Sequence, residues 1–278
     1  MIRPPTFAPA RSALSWATAL VLGIAAACGE DNSSPKTGSN SNWLVACGDE
    51  SDCASSGACL CGACSRECTD NLDCSSLEGA RCSTVDEAAR GTQCGGAEPS
   101  VGLCLPRCEP GSCDDGQSCV GGACVIAELP EAEFCDPARA ASRAERAAEE
   151  QLLELIQQNR VAGSTPCTSG EALPPAAPLR LDGRLSCVAR VRALDQQATG
   201  VTGPADSEGR NASERASLAG YDVSAWWESY AYNATNGSQA YDRNLADADS
   251  CPELGNPEYT DIGVGAAGDM FVVLLATR

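Results

Sequence analysis

The side chains available for chemistry are mainly cysteines and carboxylates, because the 278-residue chain has 19 cysteines, 38 acidic residues and no histidine. Without histidine there is no Ser-His or Cys-His nucleophile pair, no histidine general base and no histidine-ligated metal. The net charge of −19 argues against a nucleic-acid partner, whose phosphates require clustered lysine and arginine. The composition therefore excludes most familiar hydrolase mechanisms.

Fourteen of the cysteines lie between Cys47 and Cys124, with few large apolar residues among them. Cys61 and Cys64 form a C-x-x-C pair, which suggests either a zinc or redox site or two cysteines of a disulfide framework. We favour disulfides, because an exported chain oxidises its thiols and fourteen cysteines can close seven bridges. The acidic turns at Asp70, Asp73, Asp114 and Asp115 lack the full calcium-ligand spacing, so solvated turns are expected there.

The N-terminus predicts export. Residues 1–27 carry positive charge at Arg3 and Arg11, followed by an apolar run too short to span a membrane. The small residues before Cys28 resemble a bacterial lipoprotein signal, which implies lipidation of Cys28 and a membrane anchor. Ordinary cleavage near Ala27 is the alternative. Residues 28–46 then form a flexible linker, and Gly29 favours the outer membrane slightly.

The chain beyond the cysteine-rich module at 47–126 has globular patterning, and we assign 135–278 to a second domain. A helix is expected to begin with Asp136 as N-cap and Pro137 at its first position. Further helices are predicted at "DGRLSCVARVRALDQQATG", "ASERASLAGY" and "SQAYDRNLADAD". Strands are predicted at "AWWESYAYNA", "YTDIGVGAAG" and "DMFVVLLAT". The order indicates an α+β domain, preceded by a small module with little regular structure.

Four stretches in this domain resemble motifs of the CAP superfamily, the family of cysteine-rich secretory (SCP-like), antigen 5 and pathogenesis-related proteins. They are "LLELIQQNRVAG", "LRLDGRLSCVARVRALDQQA", "SERASLAGYDVSAWWESYAYN" and "SCPELGNPEYTDIGVG". The resemblance covers about residues 148 to 278 and implies an α-β-α sandwich.

The same resemblance implies a cavity in which two histidines and two acidic residues can hold a divalent metal. Here the histidine positions fall on Pro204 and Ser250, and the acidic positions fall on Glu214 and Glu228. These four residues cannot form a zinc site, so no metal, cofactor or catalytic residue is expected. Glu214 and Glu228 either survive as hydrogen-bonding groups or act as a glycosidase-type carboxylate dyad.

Four cysteines outside the module are candidates for two further disulfides. Cys167 and Cys187 flank one loop and are expected to pair, which leaves Cys135 and Cys251 by elimination. Trp226 and Trp227 suggest either a binding patch or ordinary packing.

Together these features predict an envelope lipoprotein, held in the membrane through Cys28, that acts by binding an envelope protein, glycan or lipid. A metal-independent envelope hydrolase using Glu214 and Glu228 and a disulfide-hardened spacer are the alternatives.

Overall fold

The computed structural model describes residues 44–53, 57–84, 87–95, 101–163, 166–170 and 172–278, and these belong to one compact unit. The predicted signal peptide, Cys28 and residues 29–43 of the linker lie outside the described residues. No helix in the described ranges is long and apolar enough to cross a membrane.

Short strands dominate the cysteine-rich part. Its described residues form β1 Ala58–Leu60, β2 Ala63–Ser65, β3 Glu67–Cys68, β4 Ala80–Cys82, β5 Gly102–Pro106, β6 Gln117–Val120, β7 Ala123–Ile126, the helix α1 Glu87–Gln93 and one turn of 3₁₀ helix at Glu50–Asp52. The strands pair as β1-β2, β3-β5-β4 and β6-β7.

One disulfide pattern occurs three times along this part of the chain. When Cys61 and Cys94 are set aside, each repeat has four cysteines, of which the first pairs with the third and the second with the fourth, and the last two face each other across paired strands. The bridges are Cys47–Cys59 and Cys53–Cys64 in repeat 1, Cys68–Cys82 and Cys74–Cys104 in repeat 2, and Cys108–Cys119 and Cys113–Cys124 in repeat 3. A seventh bridge, Cys61–Cys94, joins repeat 1 to the helix inserted in repeat 2. The prediction of seven disulfides is confirmed.

The acidic turn at Asp70 and Asp73 is held by hydrogen bonds to its own carboxylates. Asp73 Oδ2 accepts a hydrogen bond from Thr69 N at 2.7 Å, and Asp70 Oδ1 accepts one from Leu72 N at 2.7 Å. The hydrogen bonds from Thr69 lower the pKa of Asp73. In repeat 2 these carboxylates therefore stabilise a loop between two cysteines.

The C-terminal part is a four-stranded sheet with helices on both faces. The strands are β8 Arg180–Leu181, β9 Ala225–Ala231, β10 Asp261–Ala267 and β11 Met270–Thr277, in the order β8-β10-β11-β9. Only β8 and β10 are parallel. The helices are α2 Arg143–Ala162, α3 Gly183–Thr199, α4 Ala212–Leu218, α5 Gly237–Ala246 and α6 Ser250–Leu254.

Side chains along each strand alternate between the two faces of the sheet, so the core has two layers, one on each face. Ile262 and Val264 of β10 share one apolar core with residues of α2, α5 and α6, whereas Leu274 of β11 lies with α3 and α4 on the other face. Gly263 and Gly265 allow α3 to lie directly on β10, since a Cβ at either glycine would overlap the α3 backbone. The prediction of an α+β chain with an α-β-α sandwich is confirmed.

The predicted start of the first long helix is wrong. Residues Glu133–Ala140 form a 3₁₀ helix that contains Pro137, and α2 begins only at Arg143. Ser142 is the N-cap of α2: its hydroxyl accepts from Glu145 N at 3.2 Å, and the Glu145 carboxylate accepts from Ser142 N at 2.7 Å. This reciprocal capping box satisfies two free backbone donors, and it fixes the helix start there.

The predicted pairing of the last four cysteines is also wrong. The bridges are Cys135–Cys187 and Cys167–Cys251. Cys135 lies in the 3₁₀ helix that packs against α3, which carries Cys187. The loop after α2 lies instead beside the end of α5, where Thr168 N donates to Leu245 O at 3.1 Å, and this brings Cys167 close to α6 and Cys251.

The cysteine-rich part packs directly on the sandwich. The Glu150 carboxylate of α2 accepts from Gly111 N at 2.5 Å and from Cys119 N at 3.0 Å, both in repeat 3. At a second contact, Thr92 Oγ1 of α1 accepts from Leu181 N of β8 at 3.0 Å. The boundaries drawn at 47–126 and 135–278 stay a prediction.

Candidate functional site

The carboxylate expected at the centre of the family's cavity, Glu228, is paired with an arginine. Glu228 lies in the middle of β9, and Arg215 lies on α4, which begins after its N-cap Asn211. Arg215 Nη2 is 2.7 Å from Glu228 Oε1 and 2.6 Å from Oε2, and the two side chains are 0% and 1% exposed. Both carboxylate oxygens are thus bound to a fixed cation.

Tyr230 completes this buried group. Its hydroxyl donates a hydrogen bond to Glu228 Oε2, and its ring lies 5.6 Å from the guanidinium carbon of Arg192. Burial, and then the negative charge of Glu228, raise the pKa of the Tyr230 hydroxyl. Tyr230 therefore stays a neutral hydrogen-bond donor.

The loop that carries Pro204 is held by two buried arginines. Arg215 Nη1 donates to Arg210 O at 2.5 Å and to Pro204 O at 3.4 Å, while Arg192 Nη2 donates to Gly203 O at 2.7 Å. Arg192 also pairs with Asp195 at 2.6 Å. Pro204 therefore contributes a backbone carbonyl to an internal hydrogen-bond network.

Glu214 has a local role at the start of α4. Its carboxylate accepts from Asn211 N at 2.8 Å, and Asn211 Oδ1 accepts from Glu214 N at 3.0 Å. The residue is exposed, whereas Glu228 is buried. Glu214 is thus a helix-capping group, separated from Glu228 in both exposure and hydrogen bonding.

Ser250 lies on a different helix and has a hydrogen-bond partner of its own. It begins α6, and its backbone N donates to Asp247 Oδ1 at 2.7 Å. Its helix neighbours Cys251 and Leu254 belong to the core on the α2, α5 and α6 face. Pro204 and Glu228 are joined through Arg215, whereas the hydrogen bonds of Glu214 and Ser250 run to Asn211 and Asp247. Any binding role for them stays a prediction.

The divalent metal implied by the family resemblance does not fit these residues. The chain has no imidazole to offer, and Glu228 is saturated by Arg215 and Tyr230. Glu214 remains as an exposed carboxylate engaged at its own helix end. Oxygen-ligated cation sites need more ligands than this donor set supplies.

Arg192 and Arg215 were not identified as site residues from the sequence. Arg215 follows Glu214 directly in "SERASLAGY", and it stands four residues after the N-cap Asn211. A charged residue on the inward face of a short helix predicts a buried partner of opposite charge. Which residue is that partner depends on the tertiary structure.

Trp226 and Trp227 do not form one patch. They are neighbours on β9 and therefore point to opposite faces of the sheet. Trp226 packs with the α3 and α4 side, and Trp227 packs with the α2, α5 and α6 side. Both are half-buried packing residues.

Comparison with known proteins gave matches among solved structures. An extracellular protein containing an SCP domain from Bacillus anthracis is 16% identical, with 48% of this chain and 41% of that chain covered and a TM-score of 0.43. A cysteine-rich secretory protein from Staphylococcus aureus is 11% identical, with 48% and 39% covered and a TM-score of 0.37. An outer surface protein from Borrelia burgdorferi is 19% identical, with 46% and 90% covered and a TM-score of 0.36.

The C-terminal part of the chain is a four-stranded sheet with helices on both faces, the arrangement that the family resemblance implies. This chain spans about two fifths of the length of the first two solved proteins. No family model matches the sequence, and no curated protein matches it. In this chain the sandwich follows a three-repeat cysteine module, and its Glu228 carboxylate is bound in an internal ion pair with Arg215.

Proposed function

We propose that the protein is an exported, lipid-anchored binding protein whose CAP-like domain is non-catalytic. The buried Arg215–Glu228 pair is the observation that carries this proposal. A carboxylate that takes part in acid-base or metal chemistry must reach substrate or ion, and Glu228 is 1% exposed and bound by two donors.

Metal analysis tests the non-catalytic part. The purified protein, equilibrated with Zn²⁺ or Ca²⁺ and then desalted, is expected to carry no stoichiometric ion. One equivalent of zinc that is lost in Glu228→Gln but kept in Glu214→Gln would overturn the proposal.

The hydrolase alternative requires Glu214 and Glu228 to act together on one substrate. They differ in exposure, and each is engaged elsewhere, so the geometry gives this dyad no support. Its test is turnover of purified envelope glycans. Activity that both Glu→Gln variants abolish would establish the hydrolase, and we expect none.

Export is supported by the nine disulfides among the described residues, since such bridges form and persist in oxidising compartments. Anchoring rests on the sequence around Cys28. Fractionation of cells that express the wild type or Cys28→Ser tests it. The wild type is expected in the outer-membrane fraction, and the variant is expected to be released or retained as uncleaved precursor. An unchanged distribution would contradict the anchor.

Partner binding is tested best without deleting the module, because Glu150 and Thr92 tie it to the sandwich. A photo-crosslinking residue placed at Leu72, which is 78% exposed in repeat 2, is compared with one at Leu218, which is 47% exposed on α4. We expect a reproducible adduct with an envelope component from Leu72. An adduct from Leu218 alone would move recognition to the CAP-like domain, and none from either position would favour the spacer.

A further inference from the structure

Repeats 2 and 3 form an open pocket of about 350 Å³ that two arginines line. Its lining consists of Asn71, Arg81, Cys82, Arg107, Cys108 and Gly122. This is a small but ordinary size for a ligand site. We call it the arginine pocket.

Paired strands and disulfides hold the arginine pocket in place. Arg81 lies on β4 opposite Leu105 of β5, and Arg107 follows β5 and forms a bridge with Ala123 of β7. Cys82 and Cys108 in the lining are bonded to Cys68 and Cys119. The pocket walls are therefore rigid before any ligand arrives.

Gly122 leaves room for one guanidinium. A Cβ at this position would lie 3.0 Å from Arg81 Nη1, and the residue has a φ of +76° that favours glycine. Asn71 uses its Oδ1 to accept from Cys82 N at 2.8 Å, so its side-chain amide is oriented with the NH₂ group as the remaining donor.

The charge of the arginine pocket is opposite to that of the surrounding module. Residues 47–124 contain 13 acidic residues and four arginines, yet two of those arginines and no carboxylate are among the described residues that line this pocket. Arg107 is exposed, and its guanidinium has no ion pair within the described ranges. The Arg107 guanidinium therefore gives the pocket a local positive charge, which attracts a negative group although the chain as a whole is acidic.

We propose that the arginine pocket binds the oxyanion of a small ligand, a phosphate or carboxylate group on a unit about the size of one sugar. Arginine is suited to this task because its planar guanidinium forms paired hydrogen bonds with such groups. The inference rests on the proposed binding function and names the ligand chemistry of its module.

Calorimetry and NMR titration of the purified protein test the pocket. Inorganic phosphate and glucuronate are the two anionic probes, and glucose is the neutral control. We expect saturable binding of at least one anion, none of glucose, and an affinity about tenfold weaker in Arg107→Gln. Arg66→Gln is the matched control, since Arg66 lies in the same module and bonds Ser76 at 2.7 Å outside the pocket. It should bind like the wild type.

The two anions also separate the possible sources of the group. Preference for phosphate indicates a phosphorylated ligand, and preference for glucuronate indicates a uronic sugar. Absence of saturable binding of either anion, or equal weakening in Arg66→Gln and Arg107→Gln, overturns the proposal. If the Leu72 cross-link persists in Arg107→Gln while no anion binds, only the pocket assignment fails, and the binding function stands.

Discussion

Arg215 and Glu228 lie 13 residues apart in the chain and meet in the interior as an ion pair closed to solvent. The guanidinium also holds the carbonyls of Pro204 and Arg210. One side chain thus connects α4, β9 and the loop between α3 and α4. Glu228, which the family resemblance implies as a metal ligand, is thus bound to a cation supplied by the chain itself.

Breaking this pair should destabilise the protein strongly. Glu228→Gln or Arg215→Met leaves a buried charge without its partner, and we expect a loss of about 3–5 kcal/mol in the free energy of unfolding. The double variant should lose less than the sum of the two single losses, because no unpaired charge remains. Urea unfolding with the disulfides intact measures each value. Glu214→Gln is the control, and a loss as large as that of Glu228→Gln would contradict the assignment.

The disulfides of the sandwich should be detected as Cys135–Cys187 and Cys167–Cys251. Peptide mapping of the unreduced protein identifies the linked peptides directly. Replacing both Cys167 and Cys251 by serine should cost about 4 kcal/mol, since the bridge closes a long loop in the unfolded chain. Recovery of a Cys167–Cys187 peptide from native protein would contradict the pairing.

Local sequence patterns predicted most of the sandwich. The helices α3, α4 and α5 and the strands β9, β10 and β11 occur where periodicity and turn residues place them. The four motifs also predicted that helices pack on both faces of one sheet. The start of α2 was predicted wrongly because Asp136 and Pro137 also have the residue types of a helix N-terminus. The Ser142–Glu145 pair has the spacing of a capping box and could have indicated the correct start.

The pairing of residues distant along the chain was not predictable in the same way. Cys135 and Cys167 each had more than one possible partner, and only the packing of the 3₁₀ helix on α3 and of the loop on α5 decides between them. The candidate site shows the same limit. Glu228 was identified by its motif, but its partner Arg215 follows from the way α4 lies against β9.

Glu150 supplies the buried hydrogen bond between the module and α2, beside the more exposed contacts of Arg143 and Arg146. Glu150→Ala should leave the buried Cys119 amide without its acceptor, at a cost of about 1–3 kcal/mol, and the half-buried Gly111 amide at a smaller cost. Hydrogen exchange at Cys119 should therefore become faster. Glu154→Ala, one turn further along α2, is the matched control, because Glu154 bonds Gln158 on its own helix. Unchanged exchange at Cys119 in Glu150→Ala would show that the contact adds no protection.

Asp182 should make the fold sensitive to acid. Burial alone would raise its pKa, but the hydrogen bonds and charges of Arg184 and Arg278 outweigh burial and lower the pKa below its ordinary 3.8. Because the pKa is lower in the folded than in the unfolded protein, the carboxylate stabilises the fold above pH 3.8. That contribution is lost as the pH falls through the folded-state pKa.

Asp182→Asn isolates this effect, since asparagine can still cap α3 by accepting from Arg184 N as Asp182 does at 2.9 Å. Thermal unfolding between pH 2 and pH 6 should show a stability difference between wild type and variant that is large at the upper end. The difference should shrink at the acid end, where the wild-type carboxylate is protonated as well. The exposed Asp222→Asn serves as control and should follow the wild type throughout. A difference for Asp182→Asn that stays constant with pH would mean that the charge of Asp182 contributes nothing.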